Sequence, residues 1–221
     1  FRKAEQQYPP KTPKDIHFFY NSWGNVYSSQ GKSAEALKCF LKCQKATNAM
    51  ESPFMSSVVN SNLGQTYMEL NELDSAQKYL SLASAFFLAK PDMNSDVQFF
   101  VDGLNASLAL KQDNLAKATK ILSKPYVLDH MPPNYLYLHH KGLADLYERK
   151  GDYAKALEYQ KLTNQYDDSL RNAMMISNVS ENELRFKQDT AIVRRDMTLK
   201  ATQSQAEFTR VIMLLVITLL I

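Results

Sequence analysis

An internal repeat of about 40 residues constrains the fold of this chain more than any other feature. Each copy carries a small residue, a turn and then an alanine followed by bulky apolar residues, and most copies also carry a tyrosine before the turn. The four copies begin at Trp23, Leu63, Asn105 and Leu143. Their alanines are Ala36, Ala76, Ala118 and Ala156, spaced by 40, 42 and 38 residues. Such a period is typical of arrays in which similar units stack on one another.

Each copy has the pattern of a helical hairpin. Small residues let a second helix approach the first closely, at Gly24, Gly64, Ala106 and Ala144. Residues that tolerate the left-handed backbone of a helix C-terminus follow, at Gly31, Asn71, Asp113 and Gly151. Six glycines and eight prolines in 221 residues are too few for an all-β fold rich in turns. We therefore predict an all-α solenoid of stacked antiparallel helical hairpins, followed by a long C-terminal helix.

The hairpins resemble the tetratricopeptide repeat (TPR), whose 34-residue pattern has an aromatic residue, Leu-Gly, Tyr, and later Ala, Phe, Ala and Pro. The first two copies match at Tyr20, Trp23, Gly24, Tyr27, Ala36, Phe40 and Cys43, and at Leu63, Gly64, Tyr67, Ala76, Leu80 and Ala83. The fourth matches at Leu143, Tyr147, Gly151 and Ala156. The third departs, since Asn105 and Ala109 stand where Leu and Tyr are expected. Loops around Pro53, Pro91 and Pro132 account for the longer period.

The chain divides into four predicted parts. Residues 1–16 resemble the second helix of a truncated preceding repeat plus a linker, because Phe1, Ala4 and Pro9 have the spacing of that helix. Residues 17–166 are predicted to form about four hairpins. Residues 167–210 are predicted to form a long charged helix, and residues 211–221 the start of a truncated transmembrane helix.

The predicted charged helix has a weak coiled-coil seam. Its apolar and small residues alternate at steps of four and three, at Met197, Ala201, Ser204, Phe208, Val211 and Leu215. Thr190 and Arg194 interrupt the seam upstream. The pattern leaves two alternatives open, a homodimer through the C-terminal helix or a single helix that lies on the array.

The last eleven residues contain ten apolar side chains and Thr218. As a helix they would extend roughly 16 Å, about half of a bilayer core of roughly 30 Å. One interpretation is a truncated transmembrane helix that anchors the chain in the membrane, and the other is a buried core helix. The anchored interpretation predicts a single-pass membrane protein. Lys200 and Arg210 on the array side favour a cytoplasmic array by the positive-inside rule.

The order of parts resembles bacterial membrane-anchored TPR regulators common in Bacteroidetes. Besides the array and the apolar run, the resemblance rests on YDDSL at 166–170 and ELRFKQD at 183–189. In that family the array is a sensor joined to a histidine kinase or a helix-turn-helix domain, neither of which is found in these residues. The resemblance implies signal transduction or transcription regulation, and it favours a periplasmic array.

No pattern in the sequence predicts catalysis, so we expect a protein that is not an enzyme and uses no cofactor. There is no glycine-rich phosphate loop, and His139 and His140 lack a metal-binding pattern. Cys39 and Cys43 lie four apart on one helix face, which disfavours a disulfide, so we expect both to fill the core. A net charge of +3 without a basic run argues against nucleic acid binding.

A binding site is predicted on the concave face, which the first helices of the hairpins would line. Its candidate residues are Asn21, Asn25, Asn62, Gln65, Ser107, Lys111, Lys141 and Asp145. Amide side chains both donate and accept hydrogen bonds, which suits them to an extended peptide or protein partner. Two hypotheses follow: a ligand- or protein-binding sensor region of a membrane-anchored regulator, or a soluble intracellular scaffold that mediates protein–protein interaction.

Overall fold

The computed structural model describes residues 5–6, 9–90 and 95–219. Its helices are α1 (Pro13–Ser29), α2 (Ser33–Ala49), α3 (Pro53–Glu69), α4 (Leu73–Ala89), α5 (Ser95–Lys111), α6 (Leu115–Leu122), α7 (Pro133–Arg149) and α8 (Tyr153–Leu219). None of the described residues is in a strand. Consecutive helices pair as antiparallel hairpins that stack in chain order, which confirms the predicted all-α, TPR-like solenoid.

The turn between the two helices of each hairpin contains a residue with left-handed backbone conformation at the predicted position. The φ angles are 70° at Gly31, 62° at Asn71, 58° at Asp113 and 76° at Gly151. Glycine has no Cβ to clash in this conformation, and Asn and Asp tolerate it better than other residues. Four local signals in the sequence therefore fixed where each first helix ends.

Local sequence also starts several helices. Thr12 and Asp15 form a reciprocal capping box at α1, in which each side chain accepts from the other's backbone N–H. The side chains of Ser52 and Asn114 cap α3 and α6 by accepting from backbone N–H groups. Proline occupies the first turn of α1, α3 and α7, where its missing N–H would have no helical partner.

The core of the array runs through the small residues of the repeat. Ala36, Ala76 and Ala118 are 0% exposed, so the predicted close contacts are present in the first three hairpins, whereas Ala156 in the fourth is only partly buried. A Cβ on Gly64 would lie 2.6 Å from Cγ of Leu80, which shows how closely α3 and α4 approach. Burial of these contacts against the next hairpin stabilises each unit.

The third hairpin differs from the others in its second helix. Both α2 and α4 have 17 residues, whereas α6 has 8 and ends at Leu122. Pro125 follows three residues later, and proline cannot continue a helix. An irregular segment from 123 to 132 stands where the other hairpins have two more helical turns.

The chain forms two compact units, Phe1–Asp168 and Ser169–Ile221. Helix α8 contributes residues 153–168 to the first unit and residues 169–219 to the second. Among the side chains of the predicted coiled-coil seam that are described, Met197 is 66% exposed and Ser204 is also exposed. Phe1 and Ala4, which the sequence assigned to an earlier repeat, lie outside the described residues, so that expectation stays a prediction.

The prediction that a single-pass helix anchors the chain in a membrane is wrong for the helices that the structure describes. Within the described residues, no helix has a stretch that is both long enough and apolar enough to cross a bilayer. The physical reason is that a stretch of bilayer length ending at residue 219 must include Glu207 and Arg210. The side chains of residues 211–221 lie outside those described.

Candidate functional site

The first helices of the hairpins, α1, α3, α5 and α7, carry all of the predicted binding residues. We call the surface formed by their outward polar side chains the first-helix face. Asn25, Lys111 and Lys141 are exposed on it. The other five residues are partly buried: Asn21, Asn62, Gln65, Ser107 and Asp145.

Two of the predicted residues meet directly. The Nδ2 group of Asn62 on α3 donates to Oδ1 of Asn21 on α1 over 3.0 Å, although 41 positions separate them in sequence. This amide pair links the first two hairpins. Within the described residues, no other hydrogen bond engages the Nδ2 of Asn21 or the Oδ1 of Asn62, so this NH2 group and this oxygen are both available to a ligand.

Gln65 belongs to a second polar chain next to that pair. Its Nε2 donates to Oε1 of Glu69 over 3.1 Å, and Oε2 of Glu69 accepts from the hydroxyl of Ser33 on α2 over 2.7 Å. The chain joins the end of α3 to the start of α2. Gln65 is therefore held in place by neighbours of its own array.

The remaining predicted residues do not join this cluster. The hydroxyl of Ser107 donates to the backbone carbonyl of Gly103 over 3.0 Å, which is a bond within its own helix. The Nζ of Lys141 lies 5.6 Å from the centre of the Tyr137 ring, a cation–π distance. Lys111 lies in the last turn of α5, and its side chain has no hydrogen bond or ion pair with the residues that the structure describes.

Asp145 is held by Arg149, a residue that the sequence analysis did not select. The guanidinium of Arg149 donates to Asp145 over 2.9 Å, to the backbone carbonyl of Leu110 over 2.9 Å and to Asp113 over 3.3 Å. The hydrogen bond to Asp145 raises the pKa of Arg149 most strongly, and the charge of Asp145 and the bond and charge of Asp113 add to the shift. The i, i+4 spacing of Asp145 and Arg149 was the signal that could have found this contact. Arg149 ties the end of α7 to the end of α5.

Two aromatic residues that lie in sequence between Asn62 and Arg149 contact each other. The rings of Phe100 on α5 and Tyr135 on α7 stack at 4.5 Å and 21°. Burial raises the pKa of Tyr135, and the nearby charge of Asp96 adds to the shift. The first-helix face therefore carries both amide and aromatic side chains.

Comparison with known proteins also supports a TPR-like solenoid. The tetratricopeptide repeat model matches residues 19–49 and 59–84, which lie in the first two hairpins. The solved structure of BtubC (BKLC) from P. vanneervenii is similar, with a TM-score of 0.57, 16% identity, and coverage of 77% of this chain and 71% of that chain. No curated protein matched the sequence.

The chain is thus a TPR-like α-solenoid. The match and the fold support a TPR protein, and TPR arrays generally bind proteins or peptides and are typically non-catalytic. The likeness to the solved structure extends to the fold alone. The resemblance to membrane-anchored regulators of Bacteroidetes gains no support from these comparisons.

Proposed function

We propose that this chain is a protein-binding module whose first-helix face takes an extended peptide segment of a partner. The observation that carries the proposal is the hydrogen-bonded pair of Asn21 and Asn62, which spans two hairpins and leaves the Nδ2 of Asn21 and the Oδ1 of Asn62 available. A residue in an extended segment offers one carbonyl and one N–H on the same side of the strand. The pair can bind both groups of a single residue, which is the contact that an extended ligand needs.

The partial burial of both asparagines strengthens this contact. Half-buried amides lose less hydration on binding than exposed ones, and their side chains are already held by the mutual bond, so little rotamer entropy is lost. Exposed Asn25 lies one helical turn after Asn21 and extends the amide surface along α1. The stacked rings of Phe100 and Tyr135 supply an apolar contact for the next part of the ligand.

The chain contains a matched control for this pair. The Nε2 of Gln44 on α2 donates to Oδ1 of Asn60 on α3 over 3.1 Å, and both residues are partly buried. This second amide pair also joins the first two hairpins, but it includes a residue of a second helix. Loss of either pair removes one inter-hairpin hydrogen bond, so stability should fall by a similar amount.

The experiment selects peptides from a random library displayed on bacteria and measures the affinity of one selected peptide by calorimetry. Asn62→Ala should weaken binding by roughly fivefold, because it removes the hydrogen bond that Oδ1 of Asn62 accepts from the peptide, and such a bond contributes about 1 kcal/mol. Asn60→Ala should leave the affinity unchanged. Failure to enrich any peptide, or equal losses in both variants, would refute the proposal.

Such a binding module could serve in two ways. It could be an adaptor that holds two proteins together, or it could be the sensor region of a signalling or transcription-regulating protein. We propose the adaptor role, which needs only the binding face. A sensor must also transmit occupancy, and α8 is the element common to both units. Hydrogen exchange over residues 169–219 with and without the selected peptide separates the roles: slowed exchange there on binding favours the sensor.

A further inference from the structure

A cleft of about 310 Å³ lies between the third and fourth hairpins, away from the amide pair. It exists because α6 ends at Leu122, so the irregular segment from 123 to 132 replaces two turns of helix beside α7 and α8. Small-molecule sites in proteins have volumes of roughly 300–1,000 Å³ and are mostly apolar with a few polar groups. The volume of this cleft is at the lower end of that range.

The lining is largely hydrophobic. Its side chains are contributed by α6, the irregular segment, α7 and the start of α8. The apolar ones are Leu122, Leu128, Leu143 and Leu146, with the rings of Tyr147 and Tyr159. Such a wall favours the hydrocarbon body of a compact ligand.

His140 gives the cleft an unusual polar group. It is 7% exposed, and its Nδ1 is buried without a hydrogen-bond partner. Its ring is stacked with Tyr159 at 5.9 Å and with Tyr166 at 5.5 Å, and its nitrogens lie at the ring edge, where a polar contact can form. An unpartnered buried nitrogen is destabilising, and a ligand oxygen that reached it would remove that penalty.

Among the described lining residues, Lys150 is the one with a formal charge, and none is Asp or Glu. Burial lowers the pKa of His140, and burial together with His140 lowers the pKa of His139 to about 4, so both imidazoles are neutral at pH 7. The ammonium of Lys150 therefore favours an anion at this side of the cleft.

We propose that this cleft binds a small organic monocarboxylate, with its apolar body against the leucines and its carboxylate between Lys150 and the edge of His140. The site is independent of the peptide-binding face, because none of its residues contributes to the amide pair or to the aromatic contact. The array therefore carries two sites, one for a protein segment and one for a small molecule.

The test uses the full chain with phenylacetate as the probe and 2-phenylethanol as its uncharged analogue. Backbone amide shifts locate the site, and ring nitrogen shifts report on His140. We expect saturable binding with a Kd of about 1 mM, typical for a ligand of this size. The shifts should be confined to the lining residues, and the alcohol should bind more weakly.

Two lysines provide a matched pair of variants. The Nζ atoms of Lys150 and Lys155 lie 5.9 Å and 4.9 Å from the centre of the same Tyr147 ring, but only Lys150 lines the cleft. Lys150→Gln should weaken phenylacetate binding about three- to fivefold, as expected for an exposed charge, and Lys155→Gln should not. Ser123→Trp, at an exposed position on the rim, should block binding while the helix content stays unchanged.

Three results would overturn the proposal. The first is the absence of saturable shifts in the wild-type chain. The second is binding that persists in folded Ser123→Trp, which would place the ligand elsewhere. The third is equal affinity for acid and alcohol together with no effect of Lys150→Gln, which would exclude an anion site.

Discussion

The close approach of helices predicts how the array responds when its helical glycines are replaced by alanine. A Cβ on Gly64 would lie 2.6 Å from Cγ and 2.7 Å from Cδ2 of Leu80. A Cβ on Gly103 would lie 3.0 Å from the nearest atom of Leu138, and one on Gly142 would lie 3.4 Å from Leu122. The same mutation at three sites therefore samples a clash, a tight contact and an ordinary contact.

Two opposing effects set the magnitudes. Alanine is favoured over glycine inside a helix by about 1 kcal/mol. At Gly64, fully buried Leu80 must move by roughly 1 Å to restore normal carbon contact, and overpacking of this kind costs about 3 kcal/mol. Gly64→Ala should then lower the unfolding free energy by about 2 kcal/mol. Gly142→Ala should raise it by about 1 kcal/mol, and Gly103→Ala should change it by less than about 1 kcal/mol.

Thermal unfolding followed by far-ultraviolet circular dichroism measures these effects. At about 2–4 °C per kcal/mol for a chain of this size, Gly64→Ala should melt about 4–8 °C lower and Gly142→Ala about 2–4 °C higher than the wild type. A second mutation, Leu80→Ala, should make the Gly64→Ala change favourable because the clashing atoms are gone. If Gly64→Ala were as stable as Gly142→Ala, the argument from helix approach would be refuted.

Further predictions concern a buried histidine, a helix cap and the coiled-coil seam. The pKa of His139 is lowered from 6.5 to about 4 by burial and by its neighbouring histidine. The contribution of neutral His139 to the free energy of unfolding is therefore complete above pH 6.5 and is lost as the pH falls toward 4. In urea unfolding, the free energy of unfolding of the wild type should be roughly 2 kcal/mol lower at pH 5 than at pH 6.5, and His139→Gln should not show this decrease. Equal decreases in both proteins would contradict the prediction. Thr12→Ala removes the capping bond to Asp15 and should cost about 1 kcal/mol, measured by the same unfolding curves; no change would mean that the cap is not formed in solution. If the seam pairs two chains, Met197→Asp should shift sedimentation from dimer to monomer, and a wild-type monomer would exclude the dimer.

The sequence determined those parts of the structure that depend on neighbouring residues. Left-handed turn residues such as Gly31 and Asn71 specify where a helix ends because the backbone requirement is local. The repeat period then placed Ala36 and Ala76 at helix contacts, because stacked units repeat the same burial. The all-α solenoid followed from these two signals.

The tertiary structure decided which side chains meet. The sequence grouped Asn21 with Asn62 only as members of one face, and packing of α1 against α3 made them a hydrogen-bonded pair. It also grouped Asp145 with the candidate ligand residues, and only the folded structure shows that Arg149 donates a hydrogen bond to it. The cleft beside His140 was not visible in the sequence, since it depends on a shortened helix and on the two hairpins that flank it. Contacts of this kind join residues far apart in the chain, and their geometry is set by packing rather than by local sequence.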